Sequence, residues 1–218
     1  MNPNWAEENL QTIRTLMERS ALYRRALAPV MIFVGTLGLA GGSAGCLLDV
    51  NTGSGFLWLW IGVAVLALIG ALLLVRRQAL KDAEAFWSPP TRRIAQALSP
   101  AFCIGLALAG LALVHFSHPK EVTIDGEYVA GRLMNLISMW ACLYGCAIHA
   151  AAFFMPRGVR WLGWIFIIAG LVAFIWNWSG SNCLTCFSPH LLMAAIFGGL
   201  HLAYGIYLYF TEKKHPVA

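Results

Sequence analysis

The residues of this chain with the most reactive side chains are its six cysteines and six histidines. Two of the cysteines, Cys183 and Cys186, stand three positions apart in SNCLTCFSPH, which ends at His190 just before a long apolar run. Two thiols at this spacing can form a structural disulfide, act as a redox dithiol, or bind a metal ion such as zinc. Covalent haem is not indicated, because Phe187 rather than a histidine follows Cys186. The choice depends on where the segment lies.

The composition indicates a membrane protein. Of the 218 residues, 59% are hydrophobic and 11% charged, whereas about a quarter of the residues of a soluble domain are charged. Six apolar runs each approach the ~20 residues with which a helix crosses a bilayer. Because the runs lack period-two alternation, and lipid requires each segment to pair its own backbone, we expect helices rather than barrel strands. The predicted spans are 26–48, 56–75, 100–116, 133–155, 161–178 and 189–210.

The positive charges predict the orientation of the chain. Thirteen of the 15 basic residues fall on one side of the predicted spans, and only Lys120 and Arg132 fall on the other. Since cytoplasmic loops retain Lys and Arg, both termini are predicted to be cytoplasmic. The net charge of +5 then follows from topology and anionic lipid, and no nucleic-acid partner is expected. The 13 residues are Arg14, Arg19, Arg24, Arg25, Arg76, Arg77, Lys81, Arg92, Arg93, Arg157, Arg160, Lys213 and Lys214.

Two segments outside the spans have a pattern of their own. Residues 1–25 are predicted to form a cytoplasmic amphipathic helix that either anchors at the membrane interface or docks a cytoplasmic protein through residues 5–25. Residues 26–210 form the six-span transmembrane domain, and residues 211–218 a cytoplasmic tail. On the outer side, VTIDGEYV places Asp125 and Gly126 between two short β-favouring runs, which predicts a small hairpin loop.

This topology places Cys183, Cys186 and His190 on the outer side, where thiols of bacterial proteins are oxidised. The structural interpretation is a disulfide, either between Cys183 and Cys186 or linked to Cys46. A metal site would add His190, with His115 or His118 from the outer end of the third span. The CxxC also resembles that of the membrane disulfide-forming and vitamin K reductase-like enzymes, and this resemblance implies electron transfer to quinone. Those families use a second cysteine pair, whereas only Cys46 is available here.

Small and polar residues form stripes on the spans. The fourth span carries such a stripe, the sixth carries another that includes His190 and His201, and four glycines mark a third close-packing face on the first. His149 and His201 are candidates for haem ligation, proton movement or helix-to-helix hydrogen bonds. The predicted stripes are Asn135, Ser138, Cys142, Gly145, Cys146 and His149; His190, Ala194, Gly198, His201 and Gly205; and Gly35, Gly38, Gly42 and Gly45.

The N-terminal sequence ENLQTIRTLMERSALYRR, running into the first span, resembles the start of a group of uncharacterised bacterial six-span membrane proteins. The resemblance covers about the first 45 residues, and beyond them only the hydropathy pattern. It implies a bacterial inner membrane and no particular activity.

We therefore expect an all-α, six-transmembrane-helix bundle that is a non-enzymatic interaction or scaffold module. The alternatives are a redox protein, using Cys183 and Cys186 with quinone or histidine-ligated haem through His149, His190 or His201, and a small-solute transporter. The glycine-rich faces also favour a homo-oligomer.

Overall fold

The computed structural model describes residues 26–81, 83, 86–87, 89–117, 126–155, 158–179 and 188–212. These residues form helices and turns with no strand, and six helices are long and apolar enough to cross a membrane, which confirms the predicted fold class. The helices are α1 (Ala26–Leu47), α2 (Gly53–Lys81), α3 (Pro89–Phe116), α4 (Gly126–Ala151), α5 (Gly158–Trp178), α6 (Pro189–Met193) and α7 (Leu200–Glu212). A 3-10 turn, Ala152–Phe154, follows α4, and a π-helical segment, Ala194–Gly199, joins α6 and α7 into one sixth span.

The predicted outer hairpin is not formed as expected. Helix α4 begins at Gly126, so the run that was predicted to be the second strand is helical. The reason is that Val129, Leu133 and Ile137 fall on one helical face and pack into the core, which favours extension of the span. The first half of the hairpin and the predicted N-terminal amphipathic helix lie outside the described residues.

Helices α2 and α3 are longer than the predicted spans. Thr52 caps α2, since its Oγ1 accepts a hydrogen bond from the Gly55 N–H at 3.1 Å. Helix α3 continues through Pro100, which was predicted to begin the span. Proline has no N–H for the carbonyl of Gln96, but the Ser99 hydroxyl donates to that carbonyl at 3.1 Å. The helix therefore tolerates the proline.

The glycine face of α1 packs against the sixth span. A Cβ added to Gly38 would lie 2.8 Å from Gly198 Cα, and one added to Gly42 would lie 2.4 Å from Ala194 Cβ. The two helices run antiparallel with their backbones almost in contact, as small residues permit. We call this contact the first seam. It confirms the close-packing face predicted on α1, and it occupies that face within the bundle rather than leaving it for self-association.

A second seam joins α4 to α5. A Cβ on Gly145 would lie 2.7 Å from the Gly163 carbonyl oxygen. Nearer one end, Asn177 Nδ2 donates to the Gly131 carbonyl at 3.1 Å and to Asn135 Oδ1 at 2.8 Å. The predicted stripe on α4 therefore faces the bundle, except that Cys146 is exposed on the surface.

The helices define two ends of the bundle. The starts of α2, α4 and α6 lie at one end, which we call the mouth. The basic end is the opposite one, where α2 finishes and α3 and α5 begin. Arg76, Arg77, Lys81, Arg93 and Arg160 all lie there, whereas Arg132 lies toward the mouth.

Candidate functional site

The turn that ends α1 positions a carbonyl at the mouth. Asp49 has a φ of 52°, in the left-handed region. The Val50 N–H donates to the Gly45 carbonyl at 3.1 Å and the Asp49 N–H to the Cys46 carbonyl at 3.4 Å, which is the bond pair of a Schellman motif. Asn51 Nδ2 donates to the Asp49 carboxylate at 2.6 Å. The turn leaves the Val50 carbonyl directed toward the sixth span.

His190 uses both ring nitrogens in hydrogen bonds. The Trp60 Nε1–H donates to His190 Nδ1 at 3.2 Å, and because an indole only donates, Nδ1 carries no proton. Nε2 then carries the proton and donates to the Val50 carbonyl at 2.9 Å. The side chain is buried, and the Phe56 ring centroid lies 4.9 Å from its own. His190 is thus a neutral imidazole that ties α6 to α2 and to the end of α1.

Ser188 and Cys46 extend this arrangement. The Ser188 hydroxyl caps α6 by accepting from the His190 backbone N–H at 3.3 Å, and Pro189 occupies the first helical position. The Cys46 thiol donates to the Ser188 hydroxyl, with 3.7 Å between Sγ and Oγ, and it is exposed. We call Cys46, Val50, Trp60, Ser188 and His190 the mouth cluster.

Replacing Trp60 with phenylalanine is expected to lower the unfolding free energy by about 1–2 kcal/mol, because His190 Nδ1 would lose its donor in a buried position. The matched control is Trp58→Phe, since Trp58 lies two residues away on the same helix and is 65% exposed. Thermal unfolding of the purified protein in detergent measures both. Equal shifts in Tm for the two variants would contradict the proposed bond.

The mouth cluster bears on the predicted disulfide and metal site. Cys46 and the other described cysteines, Cys103, Cys142 and Cys146, are free thiols, and no disulfide joins any two of these four. No group of three or more His, Cys, Asp or Glu side chains that could hold a metal occurs within the described ranges. Metal binding by His190 would require breaking a hydrogen bond to one of its nitrogens. His115 packs edge-on against Phe116 at 5.6 Å. The other residues of the predicted disulfide and metal site, Cys183, Cys186 and His118, lie outside the described residues.

A second buried histidine lies in the middle of the bundle. His201 Nδ1 is 2.5 Å from the Phe197 carbonyl, which can only accept, so Nδ1 carries the proton. Nε2 therefore accepts from the Tyr144 hydroxyl, with 2.6 Å between the two atoms. His201 is 1% exposed, and the Phe166 ring lies 5.2 Å away. This pair, which we call the core pair, joins α7 to α4.

His190 and His201 do not share the predicted face. His190 points to α1 and α2, whereas His201 points to α4 and α5, and Leu202 takes the expected place of His201 opposite Gly35. The reason is the π-helical segment between them. One extra residue in a turn rotates the side chains that follow it by about 100° around the helix axis. The uninterrupted helix assumed from the sequence predicts the wrong face for His201.

His149 occupies a separate position. Its ring packs against Trp164 at 5.4 Å and Phe153 at 6.1 Å, and its Nδ1 is buried with no hydrogen bond to the described residues. No ring contact or hydrogen bond joins His149 to His201 in the described part of the chain. His201 contacts Tyr144, which precedes His149 by about 7.5 Å along α4, so His149 and His201 lie at different depths in the bundle.

Sequence reasoning missed Trp60 and Tyr144, the partners of the two histidines. One signal for Trp60 was present, because Phe56 and Trp60 stand four residues apart and share a helical face with buried Leu57 beside it. No comparable signal indicated a role for Tyr144, because small residues surround it in the sequence. Neither partner can be assigned without knowing which helices are neighbours.

Comparison with known proteins gives no assignment: no family model matches the chain, and no curated protein or solved structure is detectably similar to it.

Proposed function

We propose that the chain is a non-enzymatic interaction or scaffold module of the bacterial inner membrane, with both termini and the basic end in the cytoplasm. The observation that supports this proposal is the use of the candidate side chains as structural ties. His190 and His201 each engage both ring nitrogens within the bundle. A ligand or a transferred proton would have to displace one of these bonds.

The two seams add support. Where backbones approach as closely as Gly38 and Gly198, the space between helices is filled by main-chain atoms. A rigid bundle of this kind suits a protein that holds a cytoplasmic segment at the membrane. We propose residues 5–25 as the segment that contacts a cytoplasmic protein, with its apolar face on lipid and its polar face toward the partner.

In-cell photo-crosslinking tests this function. A photoreactive amino acid at Arg19, on the predicted polar face, is expected to give one discrete protein adduct. The same group at Met17, on the apolar face, is expected to label lipid. Protein purified from these cells should be colourless and should carry no solute flux. If both positions label only lipid, the segment is merely an interfacial anchor and the scaffold proposal fails.

Quinone-linked dithiol chemistry is a second candidate, and the exposed Cys46 favours it. Ser188 follows Cys186 by two residues in the sequence, so the two Cα atoms are at most about 7 Å apart. Cys46 Sγ lies 3.7 Å from the Ser188 hydroxyl. We propose Cys46 as a third thiol that exchanges with a Cys183–Cys186 disulfide. Oxidation of that dithiol releases two electrons and two protons, which a quinone would take up to become quinol.

Mass-shift alkylation distinguishes the two functions. For the scaffold, we expect the thiol state of Cys183 and Cys186 to be unchanged when quinone is added after mild reduction. For the redox protein, quinone would return the pair to the disulfide, and Cys46→Ser would slow that return. Cys103→Ser is the matched control, because Cys103 is also exposed but lies on α3 outside the mouth cluster. Solute transport remains the third interpretation, and flux that depends on His149 or His201 would favour it.

A further inference from the structure

Two helices begin at the basic end with an unfavourable distribution of charge. Helices α3 and α5 have no acidic residue in their first turns, and each carries arginine close to its start, Arg93 in α3 and Arg160 in α5. A helix N-terminus already bears about half a positive charge. Arginine there raises the local positive potential, whereas Lys81 in the last turn of α2 complements the helix dipole. An anion bound beside these arginines would relieve this repulsion.

Both arginines are held on one short turn. The Arg160 Cζ lies 4.8 Å from the Phe153 ring centroid, and the Arg93 Cζ lies 5.8 Å from that of Phe154. The turn Ala152–Phe154 contacts both α3 and α5. A guanidinium that stacks on a ring keeps its N–H edge available, and that edge matches two oxygens of a phosphate group. No ion pair to either arginine occurs within the described part of the chain.

The surroundings of the two arginines are apolar. Phe153 is 67% exposed and Trp161, the residue after Arg160, is 73% exposed. Large exposed rings beside a cationic pair suit a ligand that has an anionic head and a hydrocarbon tail. A free phosphate would leave these rings without a partner.

We propose that Arg93 and Arg160, with the rings of Phe153 and Phe154, form a binding site for the headgroup phosphate of an anionic phospholipid such as phosphatidylglycerol. The guanidinium edges bind the phosphate oxygens, and the acyl chains lie against Phe153 and Trp161. The site differs from general attraction of basic residues to a charged bilayer, because it depends on these two arginines and on the turn that holds them.

The test uses the full chain in phosphatidylcholine nanodiscs into which phosphatidylglycerol is titrated. Wild-type protein is expected to gain Tm with phosphatidylglycerol and to retain that lipid in native mass spectrometry. The double variant Arg93→Gln/Arg160→Gln is expected to bind it about thirty-fold more weakly, since each basic residue at an anionic surface contributes about a factor of five. Arg93→Lys/Arg160→Lys, which keeps the charge without the planar fork, should fall between them.

Two matched controls separate this site from bulk electrostatics. Arg76→Gln/Arg77→Gln removes the same charge from the same end, at the last turns of α2. Arg132→Gln removes an arginine that stacks on Tyr128 at 4.7 Å near the mouth. Both variants should retain the wild-type response. The proposal is overturned if Arg76→Gln/Arg77→Gln weakens binding as much as the Arg93/Arg160 variant, if a zwitterionic phospholipid titrated into the same nanodiscs raises Tm equally, or if glycerol phosphate alone reproduces the stabilisation.

Discussion

A Gly38→Leu variant is expected to lose at least about 3 kcal/mol of unfolding free energy, enough to remove much of the folded protein. Even a Cβ at this position would stand 2.8 Å from Gly198 Cα, and a main-chain atom cannot rotate away. Insertion of one or two extra methylenes into a packed core costs about 1–3 kcal/mol, and leucine adds more than that. Thermal unfolding followed by the fraction of monodisperse protein on size exclusion measures the loss.

The matched control for this prediction is Gly62→Leu in α2. A Cβ on Gly62 meets nothing within 4 Å, so the side chain can extend into lipid. We expect its Tm to stay at or slightly above that of the wild type, because leucine favours helix more than glycine does. If the two leucine variants melt at the same temperature, α1 and the sixth span are not packed as closely as described.

Replacing His201 with alanine is expected to lower the unfolding free energy by about 3 kcal/mol. The variant would leave a cavity among Tyr144, Phe166 and Phe197 and would deprive the Tyr144 hydroxyl of its acceptor. Unfolding of the purified protein by denaturant in mixed micelles measures the change.

The companion variant Tyr144→Phe isolates the hydrogen bond. Alone it should cost about 1–2 kcal/mol, because His201 Nε2 would be buried without a donor. Combined with His201→Ala it should add less than this, since no unpaired group then remains. Tyr207→Phe is the control, as Tyr207 is 58% exposed on the same span as His201. Strict additivity of the Tyr144 and His201 effects would show that the core pair does not form.

The spans were predictable because hydropathy depends on each segment alone. The free energy of placing an apolar helix in lipid is set by its own side chains, so the number of spans and their centres could be predicted. The glycine face of α1 and the stripe on α4 were predictable for a similar reason, because small residues at helical spacing favour close packing.

The helix pairings could not be predicted in the same way. Nothing in Gly38 indicates that its partner is Gly198 rather than a glycine of α4, because both contacts use the same residue types. The helical face of His201 was predicted wrongly because of the π-helical segment. A single extra residue in a turn changes which neighbouring helix a side chain contacts. The roles of Trp60 and Tyr144 followed only once the neighbouring helices were known.

The first seam has a consequence for how the protein is made. Of the six spans, α1 leaves the ribosome before the other five and its partner after them, so the glycine face stays unpaired in the bilayer while about 140 further residues are synthesised. During that interval α1 can already contact α2, through pairs such as Gly70 with Phe33, and lipid. Chains that stop before residue 189 would keep this face uncovered, a feature by which membrane quality control could distinguish truncated from finished protein.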